Sequence, residues 1–199
     1  MTKQWMDGAR LLVVALGVAG MGGWPADARA ATFTWDGSVD RRWDTFVFGI
    51  PFPQTNWDLL TLPGSDDIAR FGGTSPGDVI VGGLNGSTES IRGIEFDSAS
   101  TYRLVKDEIF GGKLLLGSGG IDVERAGTHF VETDLTLLSS GTVFDVASGG
   151  ILEVSGKVTD TTLLSIVSKE GDGVLRLEGL NPGSSFDILE ANKGLTIID

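Results

Sequence analysis

The sequence contains no cysteine, and among its 199 residues it has one histidine and one tyrosine. The absence of cysteine excludes disulfides, thiol nucleophiles and zinc sites that depend on thiolate ligands. It also excludes a lipid anchor attached to a cysteine at a cleavage point. The single histidine leaves one candidate for chemistry that needs an imidazole. Several classes of catalytic and metal site are therefore excluded before any motif is considered.

Basic residues are scarce. The chain has 15 Lys and Arg against 27 Asp and Glu, and its formal net charge is −12. Residues 1–30 carry one more basic than acidic residue, so the net charge of the remainder is −13. Such a surface repels phosphate backbones, and no basic stripe offsets it. We expect no nucleic-acid partner, and we interpret the acidic excess as favouring solubility.

Long apolar runs are also lacking, and residues 1–30 have the features of an export signal. A basic start with Lys3 leads into the apolar run Leu11–Gly23, and Ala28–Ala30 supplies small residues for cleavage. The run is shorter than the roughly 20 residues that span a bilayer. We therefore expect cleavage after residue 30, and a secreted or cell-surface protein whose mature chain has no transmembrane segment.

Glycine, in contrast, is abundant, at 30 residues. Between Gly111 and Leu177, short apolar alternations are separated by turns rich in Gly, Ser, Asp and Thr, a spacing typical of all-β stacks. The tetrapeptide Ser118–Ile121 recurs as Ser148–Ile151, and each copy precedes a strand-like segment. The pattern predicts an all-β protein in which residues 63–199 form a parallel, right-handed β-helix or solenoid.

The segment 31–62 is rich in aromatic residues, among them Trp35, Trp43 and Trp57. A solenoid exposes an apolar end unless atypical residues cover it. We therefore interpret this segment as an N-terminal cap with buried indole rings. The alternative is an exposed aromatic platform that stacks on sugars. We prefer the cap, because large aromatic side chains bury much apolar area.

A series of short motifs carries a resemblance to a known family. They are, in order, Trp35-Asp36-Gly37, Asn56-Trp57, Pro63–Phe71, Ile91–Phe96 and Tyr102-Arg103-Leu104. In this order the chain resembles bacterial proteins with autotransporter-associated β-strand repeats, and the resemblance extends to about residue 180. It implies a right-handed β-helix passenger that is secreted or displayed at the bacterial surface.

The chain departs from that family in two places. The segment Phe46–Gln54 adds apolar and proline residues where the family is short and polar. No alternating strands for a translocator barrel follow the repeats, so transport by a single chain is not supported. We expect the given sequence to stop before a C-terminal cap.

The sequence offers four candidates for a catalytic, metal or phosphate-binding site. His129 has no second ligand beside it, so a structural role is favoured. The carboxylates Asp66-Asp67 would point to opposite faces of a strand, whereas on a turn they could contribute to a calcium site. Gly171-Asp172-Gly173 is typical of a turn, and Ser118-Gly119-Gly120 lacks the helix and lysine of a phosphate loop. We assign no catalytic, cofactor-binding or metal residue.

Taken with the export signal, these features predict a structural or adhesive β-solenoid of the cell surface or extracellular space, without catalysis. Surface polysaccharide and other surface proteins are the expected partners. The alternative is a carbohydrate-binding or polysaccharide-degrading β-helix protein, since this fold also supports such enzymes.

Overall fold

The computed structural model describes residues 30–47, 54–82, 87–162, 165–178 and 188–198. Within these ranges the regular secondary structure is entirely β. The strands are β1 (Thr32–Thr34), β2 (Phe46–Val47), β3 (Gln54–Thr55), β4 (Ile68–Phe71), β5 (Gly77–Val81), β6 (Thr88–Phe96), β7 (Tyr102–Lys106), β8 (Lys113–Val123), β9 (Thr128–Val131), β10 (Asp134–Leu137), β11 (Gly141–Val146), β12 (Ile151–Val154), β13 (Val158–Asp160), β14 (Ile166–Glu170), β15 (Val174–Leu177), β16 (Ile188–Ala191) and β17 (Leu195–Ile198). The predicted export signal lies outside the described residues, apart from Ala30.

Two parallel sheets are built by successive windings of the chain. One has nine strands, with the order β1-β4-β6-β8-β11-β14-β16 and with β10 and β13 paired beside β8. The other has six, in the order β5-β7-β9-β12-β15-β17. From β4 onward the strands of the two sheets alternate along the chain, except that β10 and β11, and β13 and β14, follow each other in the nine-stranded sheet. Each of these windings therefore adds at least one strand to both sheets. The result is a parallel β-solenoid of about five turns, which confirms the predicted fold class.

Side chains that face inward stack in register from turn to turn. In the six-stranded sheet one ladder joins Leu104, Val131, Val154, Leu177 and Ile198. All but Ile198, which lies in the last described strand, are buried. The alternation of apolar and polar residues produces this ladder, because successive side chains of a strand point to opposite faces.

The predicted burial of the three tryptophans is confirmed, since each is at most 1% exposed. Trp57 packs edge-on against Trp35 and Trp43, with ring centroids 5.2 and 4.8 Å apart. The column continues along the solenoid axis through Phe71 to Phe96. These rings therefore fill the interior of the first turns.

The remainder of the N-terminal segment covers the exposed edges of both sheets. The main-chain N–H of Trp43 donates to the carbonyl of Ile80 on the edge strand β5, at 2.9 Å. On the other sheet, the N–H of Asp58 donates to Thr34 O on β1, at 3.0 Å. Edge strands left open attract other chains. The segment from 31 to 62 thus contributes the first strand of one sheet and bonds to the N-terminal edge of each sheet.

The repeated Ser-Gly-Gly-Ile tetrapeptide does not mark equivalent positions in successive turns. The first copy lies inside β8, in the nine-stranded sheet, whereas the second leads into β12, in the six-stranded sheet. Each copy has one glycine with positive φ, but it is the third residue of the first copy, Gly120, and the second residue of the second copy, Gly149. A Cβ on Gly120 would lie 2.0 Å from the carbonyl oxygen of Val143. Glycine is required there by conformation and close packing.

The two ends of the apolar insertion between Phe46 and Gln54 are paired. β2 and β3 run antiparallel to each other, and residues 48–53 lie outside the described part. These two strands form a sheet of their own, without ladder pairing to the two parallel sheets in the described part of the chain.

Candidate functional site

The single histidine lies inside the solenoid. His129 is fully buried, and its ring stacks on Phe96 with centroids 4.5 Å apart. The N–H of Tyr102 donates to Nδ1 at 3.4 Å, and Nε2 lies 3.1 Å from the carbonyl oxygen of Ser98. A neutral ring with its proton on Nε2 satisfies both contacts. Burial lowers the pKa of His129 to about 4, so the ring is neutral near pH 7 and holds adjacent turns together.

The two adjacent aspartates are on a turn and have separate roles. Asp67 caps that turn, because its carboxylate accepts from the N–H of Gly64 at 2.9 Å and from that of Ala31 at 3.2 Å. Asp66 is exposed and lines a groove that Arg92 also lines. The structure therefore does not bring the two carboxylates together as a ligand pair.

Four outward carboxylates form an in-register ladder on the nine-stranded sheet. They belong to Glu95, Asp122, Asp145 and Glu170, on successive strands. Neighbouring strands are about 4.8 Å apart, so like charges face one another and repel. The pKa of Asp122 rises to about 6, mainly because burial disfavours its charge and further because Asp145 and Glu124 lie nearby.

One group of carboxylates is close enough to be considered as a metal site. Oxygens of Glu95, Asp97 and Glu124 lie within 4.8 Å of one another. Two arginines already bind the group. Arg70 contacts Glu95 at 2.7 Å and Asp97 at 2.6 Å, and Arg125 bonds to the other oxygen of Asp97. The hydrogen bonds from Arg125 and Arg70 hold the pKa of Asp97 below its ordinary value. The group is an ion-pair network that links neighbouring turns.

The described residues form two surface grooves of a size that could hold a ligand. The first, the strand groove, has a volume of about 630 Å³ and is lined by Arg41, Ile80, Val105 and Lys106 among others. The second, the bulge groove, has a volume of about 560 Å³. Its lining residues are Ser65, Asp66, Arg92, Gly117, Ser118, Leu138 and Ser139. Both volumes fall in the range of small-molecule sites, which is about 300–1,000 Å³.

Sequence reasoning missed two buried polar residues that organise the ends of the solenoid. Asn56 is fully buried, and its side-chain oxygen accepts from the N–H groups of Val39 and Asp40. Its amide donates to the Asp40 carboxylate at 2.7 Å and to Arg42 O at 2.8 Å. Because Asn56 uses all its hydrogen-bonding capacity, it fixes the path of the N-terminal segment. The Asn56-Trp57 motif is the only sequence signal that indicates this residue.

The second is Lys169, a fully buried lysine near the other end. Its Nζ donates to three carbonyl oxygens, those of Glu170, Gly171 (2.8 Å) and Lys193 (3.3 Å). Burial lowers its pKa, while Asp145 and other nearby acids oppose that shift. Lys169 lies between Ser168 and Glu170, and this local sequence does not indicate that the lysine side chain points inward.

Comparisons with protein-family models, with curated proteins and with solved structures gave no match. The fold therefore defines the chain only as a β-solenoid protein. In the described part of the chain there is no helix long and apolar enough to cross a membrane.

Proposed function

We propose that this protein is an exported structural or adhesive β-solenoid of the bacterial cell surface or extracellular space, without catalysis. One observation carries the proposal, namely that the inward polar side chains already serve the scaffold. His129 and Lys169 are fully buried, and their nitrogens contact protein groups. The interior thus acts as a support, and the outer faces and grooves remain for contact with other molecules.

The kinship with autotransporter-associated β-strand repeat proteins belongs to the same proposal. Aromatic residues of the resembling motifs occupy the column inside the first turns, among them Trp35, Trp57, Phe71, Phe96 and Tyr102. Their spacing in the sequence therefore has a physical reason, because each places a ring in the same column. This supports a shared folding motif in the first turns.

Cell fractionation with N-terminal sequencing tests the export part of the proposal. Expressed in a bacterium with its own N-terminus, the chain should leave the cytoplasm and begin at Ala31. An Ala28→Leu, Ala30→Leu double variant alters only the small residues of the cleavage region, and it should stay unprocessed. Recovery of the chain in the cytoplasm with Met1 intact would contradict the proposal.

A second candidate, a polysaccharide-degrading enzyme, is favoured by one feature. Asp122 has a raised pKa and faces Asp145 across neighbouring strands, and glycosidases use two carboxylates of unequal acidity. Incubation of the protein with polysaccharides and measurement of new reducing ends tests this candidate. Sugar release that is lost in Asp122→Asn would support it and would contradict a purely adhesive role.

A further inference from the structure

The side chains of two arginines in this acidic protein make no ion pair or hydrogen bond in the described part of the chain. Arg42, Arg70, Arg103, Arg125 and Arg176 all lie within 4.0 Å of a carboxylate oxygen. The remaining two are Arg41, in the strand groove, and Arg92, in the bulge groove. With 27 acidic residues in the chain, an arginine without a carboxylate is unexpected. Each lines one of the two grooves.

Arg92 is held at its position by a bulge in the sheet. Along β6 and β8, Ile91 pairs with Leu116 but Gly93 pairs with Gly120, so three residues lie opposite Arg92 alone. Bulges of this kind redirect side chains and occur next to functional sites. The packing is tight, since a Cβ on Gly119 would lie 2.8 Å from the Arg92 carbonyl oxygen. The backbone that carries this guanidinium group is therefore well fixed.

The bulge groove is lined by a charged donor and a charged acceptor that form no ion pair with each other. Asp66 and Arg92 both line it, yet they form no ion pair within 4.0 Å. The hydroxyls of Ser65 and Ser118 make no hydrogen bond within the described residues, and the side chain of Leu138 is 41% exposed. Carboxylate, guanidinium and hydroxyl groups beside an exposed leucine complement a ring that has hydroxyls on its edge and C–H groups on its face.

We propose that the bulge groove binds a neutral, polyhydroxylated glycan, with Arg92 donating to and Asp66 accepting from its hydroxyl groups. The inference rests on the proposed adhesive function and names its partner class. An acidic glycan fits less well, because Asp66 faces the groove and the mature chain carries a net charge of −13, from −12 overall and +1 for residues 1–30. In the strand groove most charged side chains are already paired, as Arg103 is with Glu132 at 2.6 Å. That groove supplies the control.

Glycan affinity electrophoresis and calorimetry of the purified protein test the proposal. The probes are neutral glucan and mannan hexasaccharides, with oligogalacturonate as the charged comparison. Arg92→Ala and Asp66→Asn should each weaken binding of a neutral probe at least about tenfold, as expected when a charged hydrogen bond is lost. Arg41→Ala should leave it unchanged. The melting temperatures of all three variants should match the wild type, because these side chains are exposed.

Three outcomes overturn the proposal. They are binding of no neutral probe, equal binding by the wild type and Arg92→Ala, and binding of oligogalacturonate alone, which would make the groove an anion site. None of these outcomes bears on the result of the export experiment. A chain that is exported but does not bind these glycans therefore contradicts this inference while the proposed location stands.

Discussion

Removal of the Trp57 side chain tests how the first turns are held together. Trp57 is fully buried, lies edge-on to two other indoles, contacts Phe71, and donates from Nε1 to Trp43 O at 2.9 Å. Truncating a large buried aromatic residue to alanine lowers the free energy of unfolding by about 3–5 kcal/mol. The stability of a whole domain is about 5–15 kcal/mol. Trp57→Ala should therefore lower the melting temperature by roughly 10 °C.

Urea denaturation followed by far-UV circular dichroism measures the loss in free energy of unfolding. Ile109→Ala is the matched control, because Ile109 is 83% exposed and its loss should change the free energy of unfolding by no more than about 0.5 kcal/mol. The reasoning is refuted if Trp57→Ala unfolds at the same urea concentration as the wild type. If Trp57→Ala left the stability unchanged and abolished glycan binding, the result would favour the alternative of an exposed aromatic platform. The burial of the indoles argues against that alternative.

Three further predictions concern ionisable groups. Because the folded pKa of His129 is about 4, against an ordinary 6.5, its neutral form stabilises the fold above pH 6.5. Stability should fall by on the order of 2 kcal/mol between pH 6.5 and 4, and His129→Gln should remove that dependence in denaturant titrations. The contribution of Asp122 to the pH dependence of stability has the opposite sign, because its raised pKa of about 6 makes the charged form unfavourable in the folded protein. Asp122→Asn should therefore raise the melting temperature at pH 7, a gain that disappears below about pH 4. Lys169→Ala should destabilise the protein more than Lys113→Ala, since Lys169 is fully buried and Lys113 is exposed, and equal melting curves would contradict this.

The fold class was predictable because period-two alternation and close spacing of turns are local properties of the sequence. Ile94 and Phe96 are buried with Glu95 between them, and Tyr102 and Leu104 are buried around an exposed Arg103. Register between turns was not predictable in this way. It depends on which strands meet across about one winding. The repeated tetrapeptide, the best internal signal, lies inside a strand of one sheet in its first copy and before a strand of the other sheet in its second.

The site features depend on side-chain placement that alternation does not determine. Arg92 is directed by a two-residue excess in the neighbouring strand, which shows only when β6 and β8 are aligned. Lys169 occupies an inward position that charge would assign to solvent, because three carbonyl groups converge on its Nζ. His129 is neutral for a similar reason, since both ring nitrogens meet main-chain groups of adjacent turns.

Cysteine pairing across turns measures the central claim, parallel stacking in register, most directly. The chain has no cysteine of its own, so a double variant gives a clean background. Val143 and Ser168 are partners on β11 and β14. Their Cα atoms should lie about 4.8 Å apart, within disulfide range. Glu170 is two residues further along β14, and that shift places it roughly 8 Å from Val143, outside the range. Mild oxidation should close a disulfide in Val143→Cys, Ser168→Cys, with its melting temperature maintained, and should fail in Val143→Cys, Glu170→Cys. Preferential closure of the shifted pair, or of neither pair, would contradict the solenoid register.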